Sequence, residues 1–569
     1  MRDFIESIAA AISEGVSTTL GPPADFLAGY VWNWPSQAPL LAIVLLLTGL
    51  FITLRLAFVQ VRGFRHAIDI TRGKYDDPND DGDLKHYQAL STALSATVGI
   101  GNIAGVGIAI RMGGPGALFW MWVTAFFGMA LKFAECTLAI KYRKVHEDGS
   151  VSGGPMYYIE MGLGKAWKPM AVFFAALAVI CSFGSGNMNQ SNTMAVSLEQ
   201  SPLAIPAVWS ALFFATVVAM VIIGGIQRIG RVTSFLAPGM AAAYVLGATV
   251  ILILNIGDIP SSFALIVTEA FNPTSVAGGG VASFLLTLMW GVRRGLFSNE
   301  AGQGSAPIAH ATAKTDEPVR EGLVASLGPF IDTLVICTMT GLVIISSGAY
   351  KDKVERTFPV YTAEALMGNP ASDQELLELR GADSEAASLP VQDGRLDGVG
   401  LVVFDGFVEN LRLEDEAGAP WNGALRYDPE AKILAAEGGG VEPTVRGEVF
   451  LTGAELTTHG FMKGLGPVGQ WIVIIAVLLF AVSTAISWSY YGDRATEYLF
   501  GSRFIPVYRW VFVGFFFLGA ILPLEAVWTI GDVALGLMSF PNLIALILLS
   551  GSVVAMSKDY FSREQKPDR

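Results

Sequence analysis

The sequence predicts an all-α integral membrane protein of about eleven transmembrane helices with one acidic extracytoplasmic insert. Of its 569 residues 52% are hydrophobic and only 15% are charged, whereas soluble domains carry about 25% charged residues. Apolar stretches of about twenty residues, enough to cross a hydrocarbon core about 30 Å thick, recur along the chain. Two of these stretches are interrupted by glycines, and paired interrupted spans indicate a transporter built from two inverted repeats.

The apolar stretches divide into one leading helix and two sets of five, each set opening with a glycine-broken segment. The leading helix covers residues 38–60, the first repeat covers 86–255, and the second covers 281–349 and 466–556. The individual predicted spans are 39–59, 88–111, 117–141, 170–198, 206–225, 233–255, 281–311, 323–348, 467–490, 507–523 and 526–556. Pro541 leaves open a division of the last span into two shorter pieces.

The orientation is predicted from the basic loops. Lys and Arg collect in every second loop, and such loops lie on the cytoplasmic side. Eleven crossings then place the N-terminal segment, residues 1–37, outside and the tail, residues 557–569, in the cytoplasm. Residues 3–14 predict a short amphipathic helix on the membrane surface. The predicted location is the bacterial inner (plasma) membrane, with multiple crossings.

Residues 350–465 are predicted to form the extracytoplasmic insert. Residues 351–463 hold 10 Lys and Arg against 21 Asp and Glu, so the insert carries a net charge of −11 out of −13 for the whole chain. Short alternating stretches at 400–408 and 445–451 stand between Gly, Asp and Pro turns and predict partial β-structure. The acidity argues against a nucleic-acid partner.

The first glycine-broken segment, residues 93–116, allows two interpretations. Its glycines could serve tight helix packing through a small-xxx-small pair, or they could unwind the helix so that its bare amides and carbonyls bind a ligand. The second broken segment, residues 290–303, favours the unwound helix. Carbonyls at Ala96 and Thr97 would suit a hard cation such as Na⁺ without burying a net charge, and Asn102 adds one amide.

Two further polar sets are predicted at membrane depth. Residues 186–192, GNMNQSN, contain four amides, more than helix packing usually needs, so we predict a binding role for Gln190. Ser483, Thr484 and Ser487 lie on one helical face, next to Trp488. Each hydroxyl alone could bond back to its own helix, but the set could complete the oxygen shell of Na⁺.

Ionisable side chains inside spans are costly and indicate function by default. Asp332 is the deepest of them, while Arg293, Arg294 and Glu300 lie in the second broken segment, where they could pair with one another or gate the site. The three cysteines are isolated, and the sequence contains no catalytic motif. We therefore predict neither an enzyme nor an organic cofactor.

Several runs together resemble the alanine or glycine:cation symporter family. They are TVGIGNIAGV, MGGPGALFWMW, KFAECTLAIKYR, GGPMYYIE, GNMNQSN, LFSNEAGQGSAPIAHATA and STAISWSYYGDR, and they cover nearly the whole membrane part in order. The resemblance implies symport of a small neutral amino acid, alanine or glycine with D-alanine as a further candidate, with sodium and in some members protons. It also implies a LeuT-like core of five plus five inverted-repeat helices after one extra helix.

The resemblance also assigns site residues. By motif match the substrate pocket comprises Val98, Gly99, Gly101, Asn102, Gln190, Thr484 and Trp488. The sodium ligands are expected between the first broken segment and the hydroxyl face, at Ala96, Thr97, Ser483, Thr484 and Ser487. The insert departs from the family pattern, because typical members have only short loops there.

Other functional classes predict different features. A channel would need rings of charges or carbonyls rather than paired broken helices. A membrane-anchored sensor would use the insert as its ligand-binding domain, but no cytoplasmic signalling domain follows Lys558. Uptake of a related small amino acid with protons is the nearest alternative. The predicted partners are a small amino acid and the lipid bilayer; the sequence determines no oligomeric state.

Overall fold

The structure is a computed structural model that describes residues 23, 26–32, 34, 40–77, 79–147, 149–273, 280–368, 386–403, 406–415, 417–429, 432–437, 442–522 and 525–563. The amphipathic helix predicted at 3–14 lies outside these residues. The described chain is mostly helical, with one β-rich region between Lys353 and Phe450. This confirms a multi-span helical membrane protein with a partly β insert.

Seven described helices are long and apolar enough to cross a membrane, and an eighth span results when the bent pair His86–Thr97 and Gly101–Gly113 counts as one. The seven are Ala117–Lys141, Lys165–Glu199, Gly225–Leu254, Pro318–Ser346, Pro467–Phe500, Ser502–Ile521 and Gly531–Ser562. Two shorter apolar helices, Leu40–Arg55 and Ala207–Ile222, occupy the predicted spans 39–59 and 206–225. The count of eleven spans and the inverted repeat stay predictions.

The remaining helices include two that bear on the predicted spans. Gly280–Asn299 and Ala306–His310 flank a non-helical stretch inside the predicted span 281–311. Ile259–Phe271 is an additional helix that the hydropathy pattern does not predict, because its 13 residues are too few to cross a bilayer. The last helix runs without interruption over Glu525–Ser562, since membrane helices tolerate an internal proline where neighbouring groups replace the lost hydrogen bond. Shorter helices are Val59–Arg62, Phe64–Thr71, Pro155–Leu163, Ile256–Asp258, Ala349–Lys351, Val360–Thr362 and Ser502–Phe504.

Three of the central helices contain π-helical turns. These are Gly101–Gly105, Gly184–Met188 and Phe330–Cys337. π-Helical turns widen a helix locally and are frequent at functional sites. The first adjoins the 54° bend between the two halves of the first broken helix, and the second overlaps the amide-rich run 186–192.

The β-rich region consists of three antiparallel sheets. The four-stranded sheet is ordered Ile433–Ala436, Gly423–Asp428, Ala387–Gln392, Arg395–Leu396; one three-stranded sheet is Lys353–Pro359, Thr444–Phe450, Glu409–Glu414; the other is Glu364–Met367, Val399–Val403, Gly406–Phe407. A separate two-stranded ribbon joins Lys144–Val145 to Val151–Ser152. The sheets bury their own apolar cluster, which includes Leu413, Leu425, Leu434 and Val445. Burial of apolar area between the sheets therefore holds the region together.

The range predicted as the insert also contains a helix that packs on the membrane part. This helix, Gly453–Leu465, is called the cap helix below. Thr457 Oγ1 donates a hydrogen bond to the Ile103 carbonyl at 2.9 Å. A Cβ atom on Gly107 would lie 2.2 Å from the Gly453 carbonyl oxygen, so only glycine permits this approach. The cap helix thus lies directly against the first broken helix.

Candidate functional site

The first broken helix unwinds over residues 98–100, called the first break below. Its amides are satisfied by side chains as well as by backbone: Gly99 N–H donates to Asn102 Oδ1 at 2.9 Å, and Ile100 N–H donates to Gln190 Oε1 at 3.5 Å. Val98 N–H still reaches the Leu94 carbonyl at 2.7 Å. An interrupted membrane helix is tolerated because these groups replace the missing helical partners.

Asn102 is fixed from behind by the buried carboxylate of Asp332. Asn102 Nδ2 donates to Asp332 Oδ1 at 2.6 Å. Ser298 Oγ and Thr333 Oγ1 each donate to Asp332 Oδ2 at 2.7 Å. Asp332 is 0% exposed, so a charge that is costly to bury is offset by three donors. Asp332 therefore positions the Asn102 side-chain amide, which in turn accepts the hydrogen bond from the Gly99 N–H of the first break.

A central cavity adjoins the first break. It contains about 250 Å³ of space between atoms, lined by Ala96, Thr97, Gly99, Gly101, Ser185, Gln190, Phe297, Glu300, Thr484 and Trp488. Five of the seven predicted substrate residues are in this lining: Gly99, Gly101, Gln190, Thr484 and Trp488. Val98 and Asn102 are not in it. The cavity thus brings together residues from four separate segments of the chain.

Glycine is required at two positions around this cavity. A Cβ atom on Gly99 would lie 2.6 Å from Oγ1 of Thr484 and 3.4 Å from Oε1 of Gln190. A Cβ atom on Gly186 would lie 2.4 Å from the Trp488 ring. Real Cβ contacts are longer than these values, so the two glycines allow Thr484 and Trp488 to approach the other helices closely.

Only one of the four amides in the run 186–192 reaches the cavity. Gln190 Nε2 donates to the Ser185 carbonyl at 3.1 Å, which leaves its oxygen facing the first break. Asn187 donates to the Phe512 carbonyl at 2.8 Å and Asn192 donates to the Leu522 carbonyl at 3.2 Å. These two amides therefore join helices, which is the packing role that a single buried amide usually has.

The hydroxyl face of the helix Pro467–Phe500 meets the first broken helix one residue earlier than predicted. Thr484 Oγ1 donates to the Ser95 carbonyl at 3.1 Å and Ser483 Oγ to the same carbonyl at 3.4 Å. The predicted sodium ligands in this helix are the carbonyls of Ala96 and Thr97, and both residues line the cavity. Ser95, Ala96 and Thr97 all lie within the helix His86–Thr97, and which of their carbonyls meets the hydroxyl face follows from how the two helices pack.

The oxygens on this face suit a sodium ion. Ser487 Oγ is buried and has no hydrogen-bond partner among the residues that the structure describes. Ser483 and Thr484 on the same face donate to the Ser95 carbonyl, and neutral oxygens of this kind are the ligands that a hard cation prefers. Na⁺ would be cargo here, bound and released in each transport cycle.

The second broken segment is non-helical over residues 300–305, called the second break below. Asn299 Oδ1 accepts a hydrogen bond from the Ala301 amide at 3.0 Å, and Gln303 Nε2 donates to the Leu296 carbonyl at 3.0 Å. Gly302 and Gly304 take positive φ angles of 84° and 85°, which glycine adopts without strain. The second break therefore satisfies its backbone groups partly with its own side chains and partly from the last helix, where Asn542 Nδ2 donates to the Gly302 carbonyl at 2.9 Å.

Glu300 and Arg293 of the second broken segment were predicted either to pair with each other or to gate the site, and each has a partner elsewhere in the chain. Glu300 accepts hydrogen bonds from Trp488 Nε1 at 3.1 Å and from Ser305 Oγ. Arg293 forms an ion pair with Asp532 at 3.4 Å. Trp488 and Asp532 lie about 190 and 240 residues away along the chain, so local spacing could not reveal them.

Sequence reasoning missed two residues of the cavity lining, Ser185 and Phe297, and Glu300, which it predicted to pair with an arginine or to gate the site, lines the cavity as well. Ser185 directly precedes the amide run, and the other two lie within the second broken segment. The motifs that contain them were recognised, but which of their side chains face a ligand depends on how an unwound segment turns. A period of 3.6 residues does not supply that information.

Comparison with known proteins identifies the family of the chain. Residues 25–372 and 434–569 match the sodium:alanine symporter family, which leaves out residues 373–433 of the insert. The chain is 39% identical to the sodium/alanine symporter AgcS of Methanococcus maripaludis, over 93% of this chain and 95% of that protein. It is 32% identical to the probable sodium/glutamine symporter GlnT of Bacillus subtilis, over 93% and 88%. It is 30% identical to the putative sodium/proton-dependent alanine carrier protein YrbD of Bacillus subtilis, over 95% and 93%. The chain therefore belongs to the sodium:alanine symporter family, whose members are sodium-coupled amino-acid transporters of the membrane and not enzymes.

Proposed function

We propose that the protein carries alanine or glycine into the cell together with Na⁺, by alternating access to the central cavity. One observation carries this proposal: five of the seven predicted substrate residues line the same cavity, beside the first break. A zwitterion that leaves water needs several replacement hydrogen bonds at each end. Backbone groups of the first break and the Gln190 side chain supply them at one end.

The walls of the cavity favour a small side chain. Gly99 and Gly101 provide no side chains, while Phe297 and Trp488 close the cavity with large rings. This supports alanine or glycine over glutamine, the substrate in the name of the GlnT relative. Trp488 would set the size limit, so Trp488→Ala is expected to admit larger amino acids such as leucine.

We place Na⁺ between the first broken helix and the hydroxyl face, with Ser483, Thr484 and Ser487 as side-chain ligands. Carbonyl groups of Ala96 and Thr97, two residues that line the cavity, complete the predicted set, and the Ser95 carbonyl is a further candidate ligand. Proton coupling is the second candidate, because one relative is named a sodium/proton-dependent carrier.

Uptake into proteoliposomes tests both parts. Purified protein is reconstituted, and uptake of labelled alanine, glycine, D-alanine and glutamine is measured under an inward sodium gradient, an inward proton gradient, or neither. We expect accumulation of alanine or glycine only with the sodium gradient. Accumulation with protons alone would replace the sodium assignment, and accumulation of glutamine in preference to alanine would refute the size argument.

The pocket assignment is tested by Gln190→Ala with Asn192→Ala as its control. Loss of a polar partner to a charged ligand group costs about 1.5–3 kcal/mol, so Gln190→Ala should weaken alanine binding about 10- to 100-fold. Asn192 belongs to the same run but bonds the Leu522 carbonyl, so its replacement should change alanine binding little. Equal effects of the two substitutions in direct binding assays would contradict the assignment.

A further inference from the structure

Glu300 combines an unusual backbone conformation with a buried carboxylate in the cavity wall. Its φ angle is +54°, a left-handed conformation that side-chain-bearing residues rarely adopt. Gly302 and Gly304 also take positive φ angles, which glycine adopts freely. Glu300 takes one although it carries a side chain. Strained residues persist where the surroundings hold them, and they concentrate at binding sites.

The Glu300 carboxylate has unused acceptor capacity toward the cavity. It accepts one hydrogen bond at Oε1 from the Trp488 indole and one at Oε2 from the Ser305 hydroxyl. The indole N–H can only donate, and each carboxylate oxygen can accept about two hydrogen bonds. One acceptor position on each oxygen is thus left, although the side chain is 95% buried and lines the cavity.

The Glu300 carboxylate can balance the positive charge that the ligands bring into the cavity. A zwitterionic amino acid is neutral overall, so its binding together with Na⁺ brings one net positive charge into a buried site, which is costly without a counter-charge. Glu300 is the acidic residue in the cavity lining. Outside this lining, Lys132 and Asp332 both act on Glu300 electrostatically, with opposite signs, and the oxygens of Asp332 already accept three hydrogen bonds.

We infer that the Glu300 carboxylate receives the ammonium group of the amino-acid substrate. The substrate then spans the cavity, with its carboxylate at the first break and its ammonium at the second break. Both breaks contribute to one ligand, and the site selects for a free amino group. The inference rests on the proposed function, since it concerns the same cavity.

The test compares alanine with L-lactate, which keeps the carboxylate and the methyl group but carries a hydroxyl in place of the ammonium. Binding to purified wild type and to Glu300→Gln is measured in sodium by competition with labelled alanine. Wild type should bind alanine at least 100-fold more tightly than lactate. Glu300→Gln should weaken alanine binding about 10- to 100-fold, the effect of losing a charged partner, and lactate binding less than threefold.

Two further variants separate recognition from structure. Glu300→Asp keeps the charge and should retain a preference for alanine of at least 100-fold. Glu135→Gln removes another buried carboxylate, which accepts a hydrogen bond from Asn542 and lies outside the cavity lining; it should leave the preference unchanged. A purely structural role of Glu300 would weaken alanine and lactate equally, and that result would overturn the inference.

The remaining outcomes are also decisive. If wild type binds no small amino acid, the proposed function fails. If wild type binds alanine but accepts lactate within tenfold, the inference fails without any variant, which covers the case that Glu300→Gln does not fold. If Glu300→Gln raises only the sodium concentration needed for half-maximal binding, Glu300 serves the cation and the inference is overturned.

Discussion

The two breaks solve the same problem by different means. At the first break, the freed backbone groups are satisfied by Asn102 within the broken segment and by Gln190 from a distant helix. At the second break, Asn299 and Gln303 bond backbone groups of their own segment. The first break therefore takes one of its two side-chain partners from a distant helix, whereas the second takes two from its own segment and a third, Asn542, from the last helix.

This difference suggests separate roles in the transport cycle. A break whose partners lie on distant helices changes its hydrogen bonds whenever those helices move, so it can couple cavity access to ligand binding. A break that draws most of its side-chain partners from its own segment changes fewer hydrogen bonds during the same motion, and here it presents the Glu300 carboxylate. The predictions below test this contrast.

The largest effect is expected at the first break. Gly99→Ala places a Cβ atom 2.6 Å from Oγ1 of Thr484, so it should close the cavity and weaken alanine binding by more than about 100-fold, the equivalent of about 3 kcal/mol. Gly105→Ala is the matched control, because its Cβ atom would meet nothing nearer than Arg294 Cδ at 4.0 Å. Binding of labelled alanine to both purified variants measures the difference. Similar affinities in the two variants would show that the first break does not form the substrate site.

The second break should respond in stability instead. Gln303→Ala removes the side-chain donor to the Leu296 carbonyl, which keeps its hydrogen bond from the Glu300 amide, so the loss should cost about 0.5–1.5 kcal/mol. We expect a lower unfolding temperature in detergent, with alanine affinity of the folded protein changed far less than in Gly99→Ala. Gln200→Ala, at an exposed helix end, should leave the unfolding temperature unchanged. A large loss of alanine affinity at unchanged stability would contradict a supporting role of Gln303 in the second break.

A smaller effect is expected for the cation. Ser487→Ala removes one neutral oxygen beside the first broken helix, so the sodium concentration for half-maximal uptake should rise about three- to tenfold, the equivalent of roughly 0.5–1.5 kcal/mol. Ser489→Ala on the same helix is the control, since Ser489 Oγ donates to the Ile486 carbonyl. A sodium dependence that Ser487→Ala leaves unchanged would exclude this face as the cation site.

The smallest effect concerns the cap helix, which packs against the first broken helix. Burial opposes the charge of Asp352, but hydrogen bonds from Lys463 and His459, each at 2.8 Å, outweigh it and lower the pKa of Asp352. A lowered pKa stabilises the folded state above the usual Asp value of about 3.9, and this contribution is lost as the pH falls through the lowered pKa. The affected region is the cap helix, Gly453–Leu465.

Hydrogen exchange measures this loss. After correction for intrinsic rates, exchange in the cap helix should accelerate modestly below about pH 4, while residues 300–305 stay unchanged. Asp352→Asn should show the faster exchange already at neutral pH. Equal acceleration of exchange in the cap helix and at residues 300–305 would mean that acid destabilises the whole protein.

Sequence reasoning succeeded where one local property decides the structure. The predicted span 117–141 matches the helix Ala117–Lys141, because hydrophobicity over about twenty residues suffices to place a helix in a bilayer. The first break was predicted from its glycines, and the bend of 54° at that point confirms it. Gln190 was predicted from an excess of amides, and it lines the cavity.

Sequence reasoning failed where the outcome depends on contacts between distant segments. Ser95 instead of Ala96 faces the hydroxyl helix, and Glu300 bonds Trp488 instead of a nearby arginine. The short helix Ile259–Phe271 and the cap helix were missed because neither has the length of a membrane span. Such features follow from tertiary packing, which a single sequence does not reveal.

The β-rich region leaves and rejoins the rest of the chain at neighbouring points. Its first and last strands are partners, with Lys353 opposite Phe450, and opposed residues in antiparallel strands lie about 5 Å apart. The β-rich region of about one hundred residues therefore joins the membrane helices on either side of it as a short loop would, because its two ends lie close together. The β-rich region could therefore be replaced by a reporter protein whose two termini lie close together. Such a reporter would monitor the transporter from outside the bilayer.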